Sequence, residues 1–265
     1  MRGTVLRPCY GPPMLPGTSS QRTAPLLVVA VLAAIAPARA ADLKINPPSI
    51  EEGEIDLEDN SEVLLQRGHS TDAGQTHFGE FGYGIRDWWW TEVETHWDNG
   101  DRGQRLRTLD FENAIRLQPQ DEYWPESAVF LEYDHAVDGV SPETATVGGL
   151  FEEDFGPSST VLNLLFDHDL GRNAETGEQL RYIGVSTWSI AEALAPGVEF
   201  FGAPGKLPSF DRASLQDHRL GPVLTGAVKI GGLGEFGYTA GYLFGLSTGA
   251  PNSTLIWRLE FDIKL

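Results

Sequence analysis

The sequence predicts an all-β fold: an antiparallel transmembrane β-barrel of about twelve strands, with short periplasmic turns and longer outer loops. Three observations predict it. The chain ends on STLIWRLEFDIKL, where Leu255, Trp257, Leu259, Phe261, Ile263 and Leu265 share one face of a strand. Arg258, Glu260, Asp262 and Lys264 share the other, and only Ile256 is out of step. A secretory leader opens the chain, and strand-length segments separated by turn signals fill the space between. An apolar face for lipid and a charged face for a wet lumen suit an outer-membrane barrel. A soluble sandwich uses the same alternation, so the remaining segments must decide between them.

The leader comes first. Residues 1–23 carry Arg2, Arg7 and Arg22 and no acid; Pro25 to Pro37 is apolar; Ala38-Arg39-Ala40 offers small residues at a cleavage site. Residues 1–40 therefore read as a signal peptide, cut near Ala40, and Met14 is a second candidate start. The apolar run is shorter than the roughly 20 residues that a membrane helix needs. Cys9 precedes that run and is the chain's one cysteine, so the mature protein has neither disulfides nor thiolate chemistry. Four of the 19 basic residues, Arg2, Arg7, Arg22 and Arg39, leave with the leader, which takes the formal charge from −19 to −23. So acidic a chain excludes nucleic acid as a partner class.

Residues 41–54 (ADLKINPPSIEEGE) form an acidic, Pro-containing lead-in, expected as a periplasmic tail, and residues 55–265 are expected to be the barrel. The strand segments are Ile55–Gln66, His77–Ile85, Trp88–Trp97, Arg105–Leu117, Trp124–His135, Thr144–Phe155, Thr160–Leu170, Leu180–Ile190, Gly197–Gly202, Gln216–Ile230, Glu235–Phe244 and Thr254–Leu265. Period-two alternation is clearest where Phe236, Tyr238, Ala240, Tyr242 and Phe244 oppose Gly237, Thr239, Gly241 and Leu243. Ser189–Leu194 is the nearest approach to a helical turn. Connections alternate between short (Arg86-Asp87, Pro119–Tyr123, Gly156–Ser159, Ala191–Pro196, Gly231–Gly234) and longer ones (Gly68–Thr76, Asp98–Gln104, Ala136–Glu143, Gly171–Gln179, Ala203–Leu215, Gly245–Ser253). A barrel sorts its loops this way, and a sandwich has no reason to.

Aromatics gather beside the short turns. Trp88, Trp90, Trp124, Phe236, Tyr238 and Trp257 are the candidates for a girdle at the lipid–water boundary. Alternation forces Trp89 to the face opposite Trp88 and Trp90.

Gly82-Tyr83-Gly84-Ile85-Arg86-Asp87-Trp88 resembles a turn of bacterial outer-membrane proteins grouped as putative transporters of the MetA pathway of phenol degradation. Glu132-Tyr133-Asp134-His135, Arg219 to Leu224 and Gly241 to Leu246 fit the same group. The resemblance runs from about Glu51 to Leu265. It implies an outer-membrane barrel serving as a small-solute channel, and it carries over no catalytic residues.

If the apolar face meets lipid, the lumen receives Glu80, Glu92, Glu94, Asp110, Glu112, Arg116, Glu132, Asp134, Asp167, Arg258, Glu260 and Asp262. Two readings of this set stand side by side: ion-pair networks filling a narrow lumen, or an acidic channel favouring cations or small organic solutes. The longest loop, Ala203–Leu215, is the candidate constriction. His69, His77, His96, His135, His168 and His218 fall at or near outer strand ends, without HxxxH or HExxH spacing, so no metal or cofactor is assigned. No G-x-S-x-G occurs; Ser186 or Ser189 with His168 or His218 is the one arrangement a lipid hydrolase could draw on. The expected function is passage of small solutes, with outer-membrane lipid as surroundings. The alternatives are a non-conducting ligand-binding or structural barrel and a lipid hydrolase.

Overall fold

The computed structural model describes residues 43–65, 74–100, 103–119 and 125–264. Twelve strands form one closed barrel in chain order, each antiparallel to its neighbours. They are β1 (Glu54–Leu65), β2 (Gln75–Arg86), β3 (Trp89–Gly100), β4 (Gly103–Arg116), β5 (Glu126–Ala136), β6 (Glu143–Phe155), β7 (Ser158–Leu170), β8 (Glu178–Trp188), β9 (Ala195–Lys206), β10 (Asp217–Lys229), β11 (Glu235–Gly245) and β12 (Ser253–Lys264). Each expected segment lies on one of them. The terminal segment closes the ring: β12 pairs with β1 from Glu54↔Lys264 to Leu65↔Ser253. Closure leaves no sheet edge, which is the condition for strands to cross a bilayer. Among the described residues no helix is long and apolar enough to cross a membrane.

Alternation builds the two faces. Leu57, Phe81, Val93, Phe111 and Tyr133 are direct cross-strand partners on five adjacent strands, so they form an unbroken outer belt. Phe81 at its centre is 51% exposed. A contiguous apolar surface of this kind suits lipid and not water. One residue along each strand, Glu58, Glu80, Glu94, Asp110 and Asp134 are likewise direct partners, pointing inward.

Strand ends and loops depart from expectation in four places. β9 runs on to Lys206 through Ala203-Pro204-Gly205, residues that read as a loop. The β8–β9 register shifts between Leu180 and Tyr182, and the β9–β10 ladder stops at Ala203. Pro204 therefore sits at a bulge without a β10 partner, where its missing N–H does no harm. β3 and β4 run almost to their junction, shrinking the expected long connection Asp98–Gln104 to residues 101–102, whereas the β4–β5 connection, expected short, spans 117–125. Ser189–Leu194 is a turn closed by an Ala191↔Leu194 bridge and not a helical one.

The expected constriction is also elsewhere. Residues 208–215 are exposed, and Ser214 accepts hydrogen bonds from Gly249 N and Thr248 Oγ1 of the β11–β12 connection. This loop is tied to its neighbour outside the barrel. The lumen is instead entered by residues 43–53, the lead-in expected as a tail: Leu43, Lys44 and Ile50 are buried, at 4%, 5% and 3% exposure.

Candidate functional site: a lumen occupied by its own N-terminal segment

The segment enters at the rim where β1 begins. Gly53 N donates to Gly84 O at 2.8 Å. A Cβ on Gly84 would stand 1.9 Å from Glu51 O, so only glycine lets the chain turn inward this closely. Pro47 and Pro48 then keep the segment from joining the sheet, since neither can donate to a ladder.

Wall side chains satisfy the segment's backbone. Arg116 donates to Ile50 O at 2.8 Å and to Pro48 O at 3.4 Å. Asn163 takes the N–H of Asn46 at 2.8 Å and donates to its carbonyl at 2.7 Å, a reciprocal pair that an irregular backbone inside a barrel requires. Arg258 donates to Leu43 O at 2.6 Å, and its guanidinium is held by both oxygens of Glu199 at 2.7 and 2.8 Å. Leu43 packs with Ile183, Phe201, Val223, Leu243 and Ile256; Ile50 packs with Ala114, Ala128, Phe130, Leu150 and Leu165. Burying each side chain contributes roughly 1.5–3 kcal/mol.

Lys44 supplies the charge. Its Nζ lies 2.7 Å from Glu80, 3.4 Å from Glu94, 3.0 Å from Glu112 and in contact with Glu92. Like charges facing each other across strands repel. A single ammonium set among four of them offsets that repulsion, and it comes from the segment and not from the wall.

All twelve expected lumen residues lie on inner-face positions. The register runs Glu80↔Glu94↔Asp110↔Asp134 in one ring and Glu92↔Glu112↔Glu132 in the next, followed by Thr146 and Asp167. Arg116, Arg258, Glu260 and Asp262 face inward with them, paired to Ala128, Asn60, Glu58 and Asp56. Glu80, Glu92, Glu94 and Glu112 gather on Lys44, and Arg258 joins Glu199. Asp167 takes Arg181, 2.9 Å away. Arg116 turns to the segment's carbonyls.

The girdle candidates divide. Phe236, Tyr238 and Trp257 lie outward, opposite Phe261, Leu259 and Ala240. Trp88 lies in the two-residue β2–β3 turn, its ring 6.1 Å from that of Trp89, and is 49% exposed. Trp124 lies outside the described residues. Trp90 is a correction: it faces the lumen, opposite Gly84 and Ala114, with its indole N–H 3.3 Å from Glu92. Trp90 has the same parity as Glu92 and Glu94, so the alternation that turns those acids inward turns Trp90 inward and Trp89 outward. Room for the ring comes from Gly82, where a Cβ would meet it at 2.0 Å.

The five described histidines sit near the long-loop rim, each with its own partner: Ser61 for His77, Asp98 for His96, Glu143 for His135, Glu178 for His168 and Tyr182 for His218. His69 lies outside the described residues. Ser186 faces outward and accepts from Thr160 at 3.0 Å, toward the opposite end of β8 from the strand ends that bear His168 and His218. Among the described residues, Ser186 is not brought together with His168 or His218.

Sequence reasoning missed Lys44, Asn46, Asn163, Glu199 and Arg181. One signal was available. Leu165 interrupts the polar parity of the seventh segment, and Phe130 does so in the fifth; an inner wall with apolar positions needs something apolar to face.

Between the segment and the wall remains a cavity of about 600 Å³. It opens toward the short-turn rim, where its lining residues Glu51 and Glu192 are exposed.

No protein-family model and no curated protein matches this chain. Among solved structures, the chain is similar to the NanC porin at 13% identity and a TM-score of 0.53, over 80% of this chain and 100% of that one. A bacterial polysaccharide outer membrane secretin follows at 8% identity and a TM-score of 0.40, over 81% of this chain and 99% of that one. A loop-deletion variant of OmpT, an outer membrane protein of Vibrio cholerae, aligns at 9% identity and a TM-score of 0.32, over 80% and 100%. The likeness to NanC is one of fold: this chain is an all-β, antiparallel, porin-like barrel of twelve strands.

Proposed function

We propose that the protein is an outer-membrane barrel that passes small solutes through a lumen narrowed by its own residues 43–50. The carrying observation is a closed barrel with an apolar outer belt and a charged inner wall that keeps a cavity of about 600 Å³ beside the segment. A belt of this kind places the strands in lipid, and a polar interior gives solutes a path. The acids of the inner wall favour cations, as rings of carboxylates do in channels. The resemblance to transporters grouped with the MetA pathway supports a small organic cargo. Arg116, Asn163 and Arg258 grip the segment's backbone from the wall, which favours a second reading: a barrel that holds a ligand without conducting.

Single-channel recording of the folded protein in a planar bilayer separates the two. The channel reading expects discrete steps, with cations preferred at low salt. A silent barrel that still shows heat-modifiable migration on a gel would transfer the assignment to ligand holding.

A further inference from the structure

The cavity has two unlike sides. On β1 and β12, Asp56, Glu260 and Asp262 place one carboxylate oxygen each within 4.8 Å of one another. On the opposite arc of the barrel the lining includes the apolar Val161 and Val185 on β7 and β8, and Trp90 and Phe130 add aromatic surface to it. Asp56 is 7% exposed, and among the described residues its Oδ1 has no hydrogen-bond partner. A carboxylate oxygen withdrawn from water without a donor is costly, and nearby carboxylates add repulsion. Among the described lining residues Arg258 is the one basic side chain, and it is committed to Glu199 and Leu43.

The molecule itself shows what such carboxylates accept, because Lys44 sets a primary ammonium among Glu80, Glu92, Glu94 and Glu112, of which Glu92 and Glu112 line the same cavity. We propose that the cavity binds a small organic ammonium ion, a primary amine on an apolar body. Its three N–H donors meet Asp56, Glu260 and Asp262, and its body lies toward Trp90 and the apolar arc. A metal ion would use the acids and leave the apolar lining wet. A neutral aromatic would use the lining and leave Asp56 Oδ1 without a donor. The volume is in the range that encloses small ligands. This inference rests on the reading above that the lumen admits solutes, and it names their class.

The test is calorimetric titration of 2-phenylethylamine into the folded full-length barrel in detergent, against blank micelles, with 2-phenylethanol and calcium chloride as parallel titrants. The amine should bind saturably, and the alcohol at least ~10-fold more weakly, a difference of about 1.4 kcal/mol. Asp56→Asn should weaken amine binding by a similar factor without altering heat-modifiable migration. The amine–alcohol comparison uses the wild-type protein, so it decides the matter even if that variant does not fold. No amine binding, equal binding of amine and alcohol, or calcium binding in place of the amine would each overturn the proposal. Conductance steps in a barrel that ignores the amine would remove this inference alone and leave the channel reading in place.

Discussion

Lys44 carries more of the lumen's electrostatics than any wall residue, because four glutamates from three strands converge on it. Removing one partner from a buried ionic cluster costs about 3–5 kcal/mol, since the charges left behind have nothing to offset them. Nothing in the lone lysine of a DLKINPP stretch announces this, because its partners are 36 to 68 residues away in sequence. The twelve lumen candidates were legible because alternation alone fixes a face. Their pairings were not, because register and depth are three-dimensional facts. A second residue-scale prediction concerns Asp138, in the β5–β6 connection. Burial would raise its pKa, but the N–H groups of Ser141 and Val140, the Ser141 hydroxyl and Arg107 together hold it below the ordinary aspartate value. A depressed folded value means stabilisation that is present above the unfolded pKa of about 3.9 and is lost as pH falls through the folded one. Protection of the Val140 and Ser141 amides, measured as exchange relative to the intrinsic rate at each pH, should therefore fall on acidification below pH of about 4, and Asp138→Ala should show the reduced protection already at neutral pH. Unchanged exchange in the variant would deny Asp138 this role.

At the scale of elements, strand positions follow from alternation and turn chemistry, and they depart from it where a residue does a second job. Pro204 and Gly205 read as loop residues, yet they extend β9, because Ala203 and Pro204 form a bulge against Arg181 and the β10 ladder has already ended. Another bulge, between His96 and Trp97, leaves Arg107 as the extra residue of β4 and aims it at Asp98, 2.8 Å away, and at Asp138, 2.9 Å away. Trp88 turns the corner between β2 and β3, and Trp90 follows the inward parity of Glu92 and Glu94. The segment's entry is the most exacting element, since the close approach of Glu51 to Gly84 leaves no room for a Cβ. Gly84→Ala should push the rim of the segment away at a cost of about 1–3 kcal/mol, typical of overpacking. Faster hydrogen exchange at the Gly53 amide, with the barrel ladder unchanged, is the expected signature. Undisturbed Gly53 protection would mean that the entry tolerates more than its geometry implies.

For the whole molecule, closure and the lipid-facing belt were readable from one terminal segment and the turn spacing, because both depend on period-two patterning. The filling of the lumen was not, because it depends on a segment without regular structure whose carbonyls are met by Arg116, Asn163 and Arg258 from distant strands. In the proposed channel, the barrel supplies the path and residues 43–50 set its width. Recording single-channel conductance of the wild type beside Lys44→Glu, both checked for heat-modifiable folding, tests this most directly. Reversing the charge among Glu80, Glu92, Glu94 and Glu112 should expel the segment, so the account predicts small or brief wild-type steps and severalfold larger, sustained ones in the variant. Identical conductance in two correctly folded barrels would contradict it.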